Sequence, residues 1–186
     1  MTPDVADARY LVWPERQRPP SVELPDDYAI RTYQQDDRAA LLDLLQAHWP
    51  LTDDELQDYL DHILPNGLFL VETRDHGELV GAAGAVHNPD GGDQYFPFGG
   101  EVGYLYVAES HRRQGIGYAL ASAATRRLDA AGYTSIRAGT QNPIAVLLFL
   151  NLAYQPFAPS SDAAGSWRPV YDELGIPFDR DRVVTP

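Results

Sequence analysis

The spacing of apolar residues along the chain switches between the alternation typical of strands and the three-to-four-residue repeat typical of helices, and it predicts the secondary structure. Alternation over residues 28–33 predicts a strand. Apolar positions at helical spacing then predict two helices, the second opened by a capping box at 52–55 and ended by the turn-forming residues 65–67. Two apolar runs, 68–73 and 78–86, flank a short turn and therefore predict an antiparallel hairpin.

The stretch over residues 101–131 organises the rest of the pattern. An alternating apolar run predicts a strand, a polar corner over 109–114 follows it directly, and an amphipathic helix comes next. The order is completed by a strand over 134–139, a helix over 143–152 and the start of a strand over 154–158. This succession predicts an α/β (α+β) fold in which helices cover one sheet.

The polar corner contains Arg112-x-x-Gly115-x-Gly117, a sequence suited to an anion. Glycine has no Cβ, so backbone amides can approach a bulky anion, and the first amides of a helix point outward beside the positive end of its dipole. These features predict a diphosphate site, although glycines used only for tight packing of strand against helix explain the spacing equally well. A dinucleotide fingerprint lacks its third glycine, since Leu120 stands there, and a nucleoside-triphosphate loop is excluded because the chain contains no lysine.

Two motifs together carry a family resemblance. Arg112-x-x-Gly115-x-Gly117, after a strand that opens with Glu101, resembles the acetyl-CoA-binding motif of the GCN5-related N-acetyltransferase (GNAT) superfamily. The segment over 142–154, Asn-Pro-x-Ala-x-x-Leu-Phe-x-x-x-Ala-Tyr, is similar to the closing helix and last core strand of that family. The motifs stand in the family's order and at its spacing, and the resemblance extends over residues 28–156. It implies a single GNAT-type domain with a mixed, mostly antiparallel central sheet flanked by helices.

Length and composition agree with one domain. The chain has 186 residues, 44% of them hydrophobic, which is enough for a full core. We expect an N-terminal arm over 1–25, the acetyltransferase domain over 26–158, and a tail over 159–186 that packs on the domain. Cysteine is absent, so disulfides, thiolate metal sites and a cysteine nucleophile are excluded, and we expect no bound metal. The first residues lack the pattern of a signal peptide and no apolar run matches a membrane span, so we expect a cytoplasmic protein without membrane contacts.

Charge argues against nucleic acid as a partner. All 14 basic residues are arginine against 27 acids, which gives a formal charge of -13. Such a balance opposes a broad electrostatic grip on a polyanion. An acidic surface would concentrate a cationic amine, but it also serves solubility alone, so the charge weights the choice of substrate only slightly.

The resemblance implies acetyl-CoA as the cosubstrate. In the family the pantetheine arm adds alongside the central strand like an extra strand, and a backbone amide, at about Val107 here, steadies the oxyanion. His111 is expected to contact cofactor or solvent, and Ala153 stands where glycine is usual. By this resemblance, the residues expected to bind the cofactor are Leu105, Tyr106, Val107, Arg112, Arg113, Gln114, Gly115, Ile116, Gly117, Tyr118, Asn142, Ala145 and Phe149.

Acetyl transfer to an amine requires a base, because an alkylammonium has a pKa of about 10.4 and must lose a proton. Glu101 is the candidate base, directly or through water, unless it is only a solvated strand-end carboxylate. His87 is the second candidate, since histidine titrates near neutrality. The family's usual acid is a tyrosine on the closing helix, where this chain has Phe149. Either Tyr104 or Tyr106 replaces it, or no acid is used, because a thiol with a pKa of about 8.5 can leave as thiolate.

The acceptor is expected between the turn at 48–50 and the loop at 88–100, where aromatic faces and acids suit a cation. Its candidate contacts are Trp49, Asp53, His87 and Tyr95. The first hypothesis is an N-acetyltransferase that acts on a primary amine, of a small molecule or a peptide, by direct attack within a ternary complex. The second is a non-catalytic, regulatory acyl-CoA-binding domain that kept the anion site and lost the acid. A homodimer is left open.

Overall fold

One seven-stranded sheet underlies residues 9–14, 18–87 and 99–186, the part of the chain that the computed structural model describes. The strands are β1 (Arg9–Val12), β2 (Tyr28–Thr32), β3 (Ile63–Thr73), β4 (Leu79–His87), β5 (Gly100–Val107), β6 (Ile136–Thr140) and β7 (Gln155–Pro156). The helices are α1 (Arg38–Gln46), α2 (Asp53–Asp61), α3 (Ile116–Ala130), α4 (Pro143–Asn151) and α5 (Arg168–Leu174).

The strands lie in the order β2-β3-β4-β5-β6-β1-β7. Neighbouring strands run antiparallel, except for β5 and β6, which are parallel. The predicted mixed, mostly antiparallel sheet flanked by helices is therefore confirmed. The strand and helix expected within 101–131 are β5 and α3.

Helices cover both faces of the sheet with separate hydrophobic cores. On one face, Leu120 and Leu128 of α3 are fully buried against the sheet. On the other, Leu41 of α1 and Leu56 of α2 are fully buried. Removing each such side chain from water contributes about 1.5–3 kcal/mol, so the central strands are fixed from both sides. Alternate residues of β5 consequently face different cores.

The boundary between α2 and β3 differs from the prediction. The helix ends before Ile63, which already belongs to β3, so residues 65–67, expected to end the helix, lie inside the strand. Asn66 has a φ of 55°, and the pairing of β3 with β4 shifts between Ile63 and Leu68. The turn-forming residues make a bulge, because the chain on both sides of them is already paired with β4.

The N-terminal arm supplies a strand that the sequence did not predict. β1 lies between β6 and β7, with Arg9 opposite Thr140 and Leu11 opposite Pro156. Leu11 and Trp13 are buried in the core beneath α3. Further along, the Ser122 hydroxyl of α3 donates to the carbonyl of Pro20, so the arm crosses that helix on its way to β2.

The C-terminal tail also packs on the sheet. Trp167, Val170 and Tyr171 are buried in the core that contains α3. The indole of Trp167 donates to the carbonyl of Phe157 (2.9 Å), and Phe157 pairs with Val184 in an isolated bridge. In the described parts of the chain, every helix is too short or too polar to cross a bilayer.

Candidate active site

β5 separates from β6 partway along its length, which opens a cleft at the centre of the sheet. In the described part of the chain the two strands pair only where Gly100 meets Ile136 and Glu101 meets Arg137. β5 continues to Val107 beyond that point. The remaining length of β5 therefore presents backbone groups to the cleft along one edge.

A bulge in β5 marks the place where the strands part. Gly103 pairs with Gly84 and Tyr106 with Ala82, so two residues of β5 stand opposite one of β4. Tyr104, inside the bulge, has a φ of 48°, a left-handed conformation that L-residues with a side chain rarely adopt. Strain of about 1–3 kcal/mol at such a position is typical of functional sites.

The far end of the cleft is fixed by Arg112. The amide of Ala108 donates to the carbonyl of Val80 on β4 (2.8 Å). Because amides alternate in direction along a strand, the amide of Val107 points into the cleft. The Arg112 Nε donates to the carbonyl of Val107 (3.0 Å), and its guanidinium lies 5.6 Å from the Tyr106 ring. Arg112 thus ties the end of β5 to residues 109–117, the segment that we call the glycine corner.

The glycine corner has the geometry that an anion site needs. Gly115 precedes α3 with a φ of 83°, which makes its lack of a side chain necessary, and Arg113 has a φ of 62°. A Cβ on Gly117 would lie 3.1 Å from Leu148 Cδ1 of α4 and 3.7 Å from Val107 Cγ2. Gly117 therefore lets α3, α4 and β5 meet closely, while the first amides of α3 are left without helical partners. Ile116 is buried and anchors the start of the helix.

α4 forms the second wall. The Asn142 side chain caps it by accepting a hydrogen bond from the amide of Ile144 (2.9 Å). Ile144 is 76% exposed beside the half-buried Ala145. The Tyr118 hydroxyl of α3 donates to the carbonyl of Asn151 at the end of α4 (2.7 Å), which ties the two walls together.

Phe149 lies in the core beside these walls. Its ring is 3% exposed and meets Tyr154 edge to face, with ring centroids 5.0 Å apart. The Tyr154 hydroxyl is hydrogen-bonded to Thr125 (2.7 Å), and burial raises the pKa of Tyr154 far above its ordinary value. Leu105 packs against the same core.

On the opposite face of the sheet, Glu101 is held by an arginine that sequence reasoning missed. The Arg137 Nε donates to Glu101 Oε2 (3.0 Å), and only 4% of the Arg137 side chain is exposed. The Arg137 guanidinium also lies 5.4 Å from the ring of Tyr10 on β1. The sequence did contain a signal for this ion pair, since Arg137 lies between the apolar residues Ile136 and Ala138 of a short strand. A charged residue in a buried strand normally has a partner of opposite charge.

An aromatic cluster lies on the same face. Tyr106 stacks on His48 with ring centroids 5.4 Å apart. The ring centroid of Trp49 lies 5.6 Å from that of Tyr104 and 5.8 Å from that of Tyr106. The ring centroids of Tyr104 and Tyr59 are 4.0 Å apart. The turn at 48–50, α2 and β5 thus build one aromatic surface that begins at the bulge.

The tyrosines at the bulge resist ionisation. Burial, together with the carboxylates of Asp58, Glu55 and Glu101, raises the pKa of Tyr104. Burial, Tyr104 and Glu101 raise the pKa of Tyr59 well above its usual range. The Tyr59 hydroxyl is buried without a hydrogen-bond partner among the described residues. The nearby carboxylates therefore disfavour a negative charge on either tyrosine.

Two further predicted residues, Asp53 and His87, have hydrogen-bond partners of their own. The carboxylate of Asp53 binds the Arg38 guanidinium (2.9 Å), which lowers the pKa of Asp53. The Tyr133 hydroxyl meets His87 Nδ1 at 2.6 Å. Since Val86 stands opposite Glu101 and successive strand residues alternate, His87 points to the α3 face. Tyr95 and most of the loop at 88–100 lie outside the described residues.

Comparison with known proteins gives one family match. The model of the acetyltransferase (GNAT) family matches residues 22–153. A search of the curated proteins finds no significant match.

Solved structures share the fold. A GCN5-related N-acetyltransferase from Sphaerobacter thermophilus superposes with a TM-score of 0.64 at 18% identity, covering 80% of this chain and 48% of that one. The NatC complex bound to Gag peptide and CoA gives 0.59 at 17% identity, with 68% and 83% covered. The ribosomal-protein-S18-alanine N-acetyltransferase of Escherichia coli gives 0.53 at 18% identity, with 67% and 76% covered. The chain spans about half the length of the Sphaerobacter protein.

Proposed function

The chain belongs to the acetyltransferase (GNAT) family, and from that premise we propose that it transfers an acetyl group from acetyl-CoA to a primary amine. The observation that carries the proposal is the cleft between β5 and β6, which opens at a strained bulge and ends at the glycine corner. A strand-like acyl-pantetheine arm fits an edge of unpaired backbone, and a diphosphate fits the start of α3. The NatC structure, bound to CoA, offers a precedent in the same fold.

The cofactor contacts follow from this placement. The Val107 amide is directed into the cleft, where it would donate to the oxyanion that forms when the amine nitrogen attacks the thioester carbon. Gly115, Ile116 and Gly117 would offer their amides to the diphosphate. Asn142 would contribute through the start of α4, since its own side chain is engaged in the cap.

Glu101 is the proposed base. Arg137 donates a hydrogen bond to its Oε2, and no side chain of the described residues donates to Oε1. Oε1 is therefore available to accept the proton of the acceptor amine, directly or through water. After the amine attacks, the carbon–sulfur bond breaks, the thiolate leaves and the amide product remains. The surrounding carboxylates and aromatic rings suit a cationic acceptor held beside Trp49 and Tyr104. The NatC and ribosomal-protein acetyltransferase structures make a peptide amine one of the acceptors to test.

The burial of Phe149 favours a second candidate function, a regulatory domain that binds acyl-CoA without turnover. A phenyl ring enclosed by the core cannot protonate a leaving thiolate. The two functions differ in their need for Glu101, which a binding domain does not use.

The test combines calorimetry with an acceptor screen. The purified chain is titrated with CoA and acetyl-CoA, then incubated with acetyl-CoA and a panel of small amines, amino sugars and peptide N-termini while free thiol is measured. Binding with acceptor-dependent thiol release supports the enzyme. Binding without release by any acceptor supports the regulatory domain, and absence of binding contradicts both.

A further inference from the structure

The glycine corner is fastened on its outer side by one hydroxyl from the far edge of the sheet. Tyr28 begins β2, and its ring is 6% exposed. Its hydroxyl donates to Gln114 Oε1 (3.0 Å) and lies 2.9 Å from His111 Nδ1. The Tyr28 and His111 rings also meet edge to face at 5.8 Å. One atom on β2 thus contacts two residues of the corner, and both of them precede Gly115.

The hydrogen count assigns direction to both contacts. A tyrosine hydroxyl has one proton, and here it is given to Gln114 Oε1, which can only accept. The Tyr28 oxygen must then accept from His111, so Nδ1 of that imidazole has a proton.

The corner needs such fastening. Arg113 and Gly115 both have left-handed φ values, and both are exposed. His111 also borders an open cavity of about 570 Å³. Within the described residues, the hydroxyl contacts and the Arg112 bond to Val107 are the side-chain hydrogen bonds that link the corner to the sheet. β2 is itself fixed, since Tyr28 pairs with Thr73.

We propose that Tyr28 is a positioning residue for cofactor binding: its hydroxyl, through Gln114 and His111, holds the corner in the conformation that presents the first amides of α3 to a diphosphate. This inference rests on the function proposed above. Because the corner is already ordered, binding of the anion does not include the entropy cost of ordering it. The hydroxyl therefore strengthens binding without touching the ligand.

The test is Tyr28→Phe, which keeps the ring and removes only the hydroxyl. Tyr154→Phe is the matched control, because it removes a buried hydroxyl hydrogen-bonded to Thr125. We expect Tyr28→Phe to bind CoA about fivefold more weakly by calorimetry, the scale of one hydrogen bond, and Tyr154→Phe to bind as the parent does. With a reactive acceptor, KM for acetyl-CoA should rise by the same factor while kcat and the acceptor KM stay unchanged.

Two further measurements make the inference independent of folding losses. Nitrogen NMR should show the Nδ1-protonated tautomer of neutral His111 in the parent and its loss in Tyr28→Phe. In a double-mutant cycle, Gln114→Leu should weaken CoA binding less in the Tyr28→Phe background than in the parent. Should Tyr28→Phe fail to fold, the tautomer in the parent and the Gln114→Leu affinity decide the matter.

The outcomes separate the two proposals. A parent that does not bind CoA overturns the proposed function and this inference with it. If the parent binds CoA and Tyr28→Phe binds it equally well, the inference alone is overturned. The same holds if Nδ1 of His111 has no proton in the parent. A loss of affinity shared by Tyr154→Phe would also overturn it, because the effect would then come from general destabilisation.

Discussion

The two sides of β5 are built in different ways. Toward the cleft, the site consists of backbone contributed by one continuous stretch, from the bulge at Tyr104 to Gly117 in the first turn of α3. Toward α1 and α2, it consists of side chains that arrive from separate elements, among them Trp49 and Arg137. A site made of backbone groups keeps its function when its side chains change, unless a new side chain fills the space of the ligand. A site made of side chains instead loses one contact with each residue that is replaced.

The largest effect is expected from Gly117→Glu. Even a Cβ at this position meets Leu148 at 3.1 Å, and a carboxylate would add negative charge at the diphosphate site. CoA binding, measured by calorimetry, should disappear. Gly165→Glu is the control, because a Cβ at this exposed residue meets nothing within 4 Å. A folded Gly117→Glu protein that binds CoA like the parent would contradict the placement of the cofactor.

Glu101→Gln should lower kcat by about a hundredfold or more, the usual scale for a positioned base, with CoA affinity unchanged. Glu72→Gln is a close control, since Glu72 Oε2 accepts from the Nε of Arg31 (2.8 Å) much as Glu101 does from Arg137. Full activity in Glu101→Gln would show that Glu101 is not the base.

Trp49→Ala should raise KM for the acceptor about tenfold, the scale of a desolvated cation–π contact, and leave KM for acetyl-CoA unchanged. Trp49→Phe keeps an aromatic face and should lose less. Asp53→Asn should have little effect, because that carboxylate is engaged by Arg38. Equal rises in both Michaelis constants would mean that the acceptor does not lie against this cluster.

The pH dependence tests whether a strand tyrosine is the acid. Because burial and nearby carboxylates raise the pKa of Tyr104 above about 10, its protonated form persists through neutral and alkaline pH. Activity should therefore rise with pH through one ionisation and show no alkaline fall below about pH 10. Tyr104→Phe should keep this profile. An alkaline fall that vanishes in Tyr104→Phe or Tyr106→Phe would identify the acid, and for Tyr104 that fall would lie above about pH 10.

The smallest effect on rate is expected from Phe149→Tyr. It should be nearly neutral in kcat if the new hydroxyl stays in the core, and modestly activating if that hydroxyl reaches the departing thiolate. In the folded protein without cofactor, however, a hydroxyl in this core position costs about 1–3 kcal/mol of unfolding free energy if it finds no partner. Denaturant unfolding with and without CoA measures this. A loss of stability that CoA restores would place position 149 at the cleft.

Much of the fold was predictable because its signals are local. The alternation in β5, the glycines of the corner and the helical spacing of α3 are read within one stretch, and the structure agrees with them. β1 was missed because four residues in a proline-rich arm carry no such periodicity, and only β6 and β7 make them a strand. Residues 65–67 were misassigned because the same turn-forming sequence suits a helix stop and a strand bulge, and pairing with β4 decides between them.

For the candidate site, the sequence indicates the glycine corner but not the contacts around it. Gly115 and Gly117 could be found from spacing, but the partners of Glu101 and Gln114 could not. Arg137 and Tyr28 come from strands remote in sequence, and only the assembled sheet brings them to these side chains. Long-range contacts of this kind leave no periodic trace in a single sequence.

The position of β1 has a consequence for how the protein is made. Residues 9–12 leave the ribosome before their partners do, so Arg9 has to wait for Thr140, and Leu11 for Pro156, before the strand can form. Until then, the residues of β1 have neither of their strand partners, and another unfinished chain can pair with them. We expect this half of the sheet to close last in refolding as well, because it pairs residues that lie far apart in sequence, and closure of the long loop between them must come first.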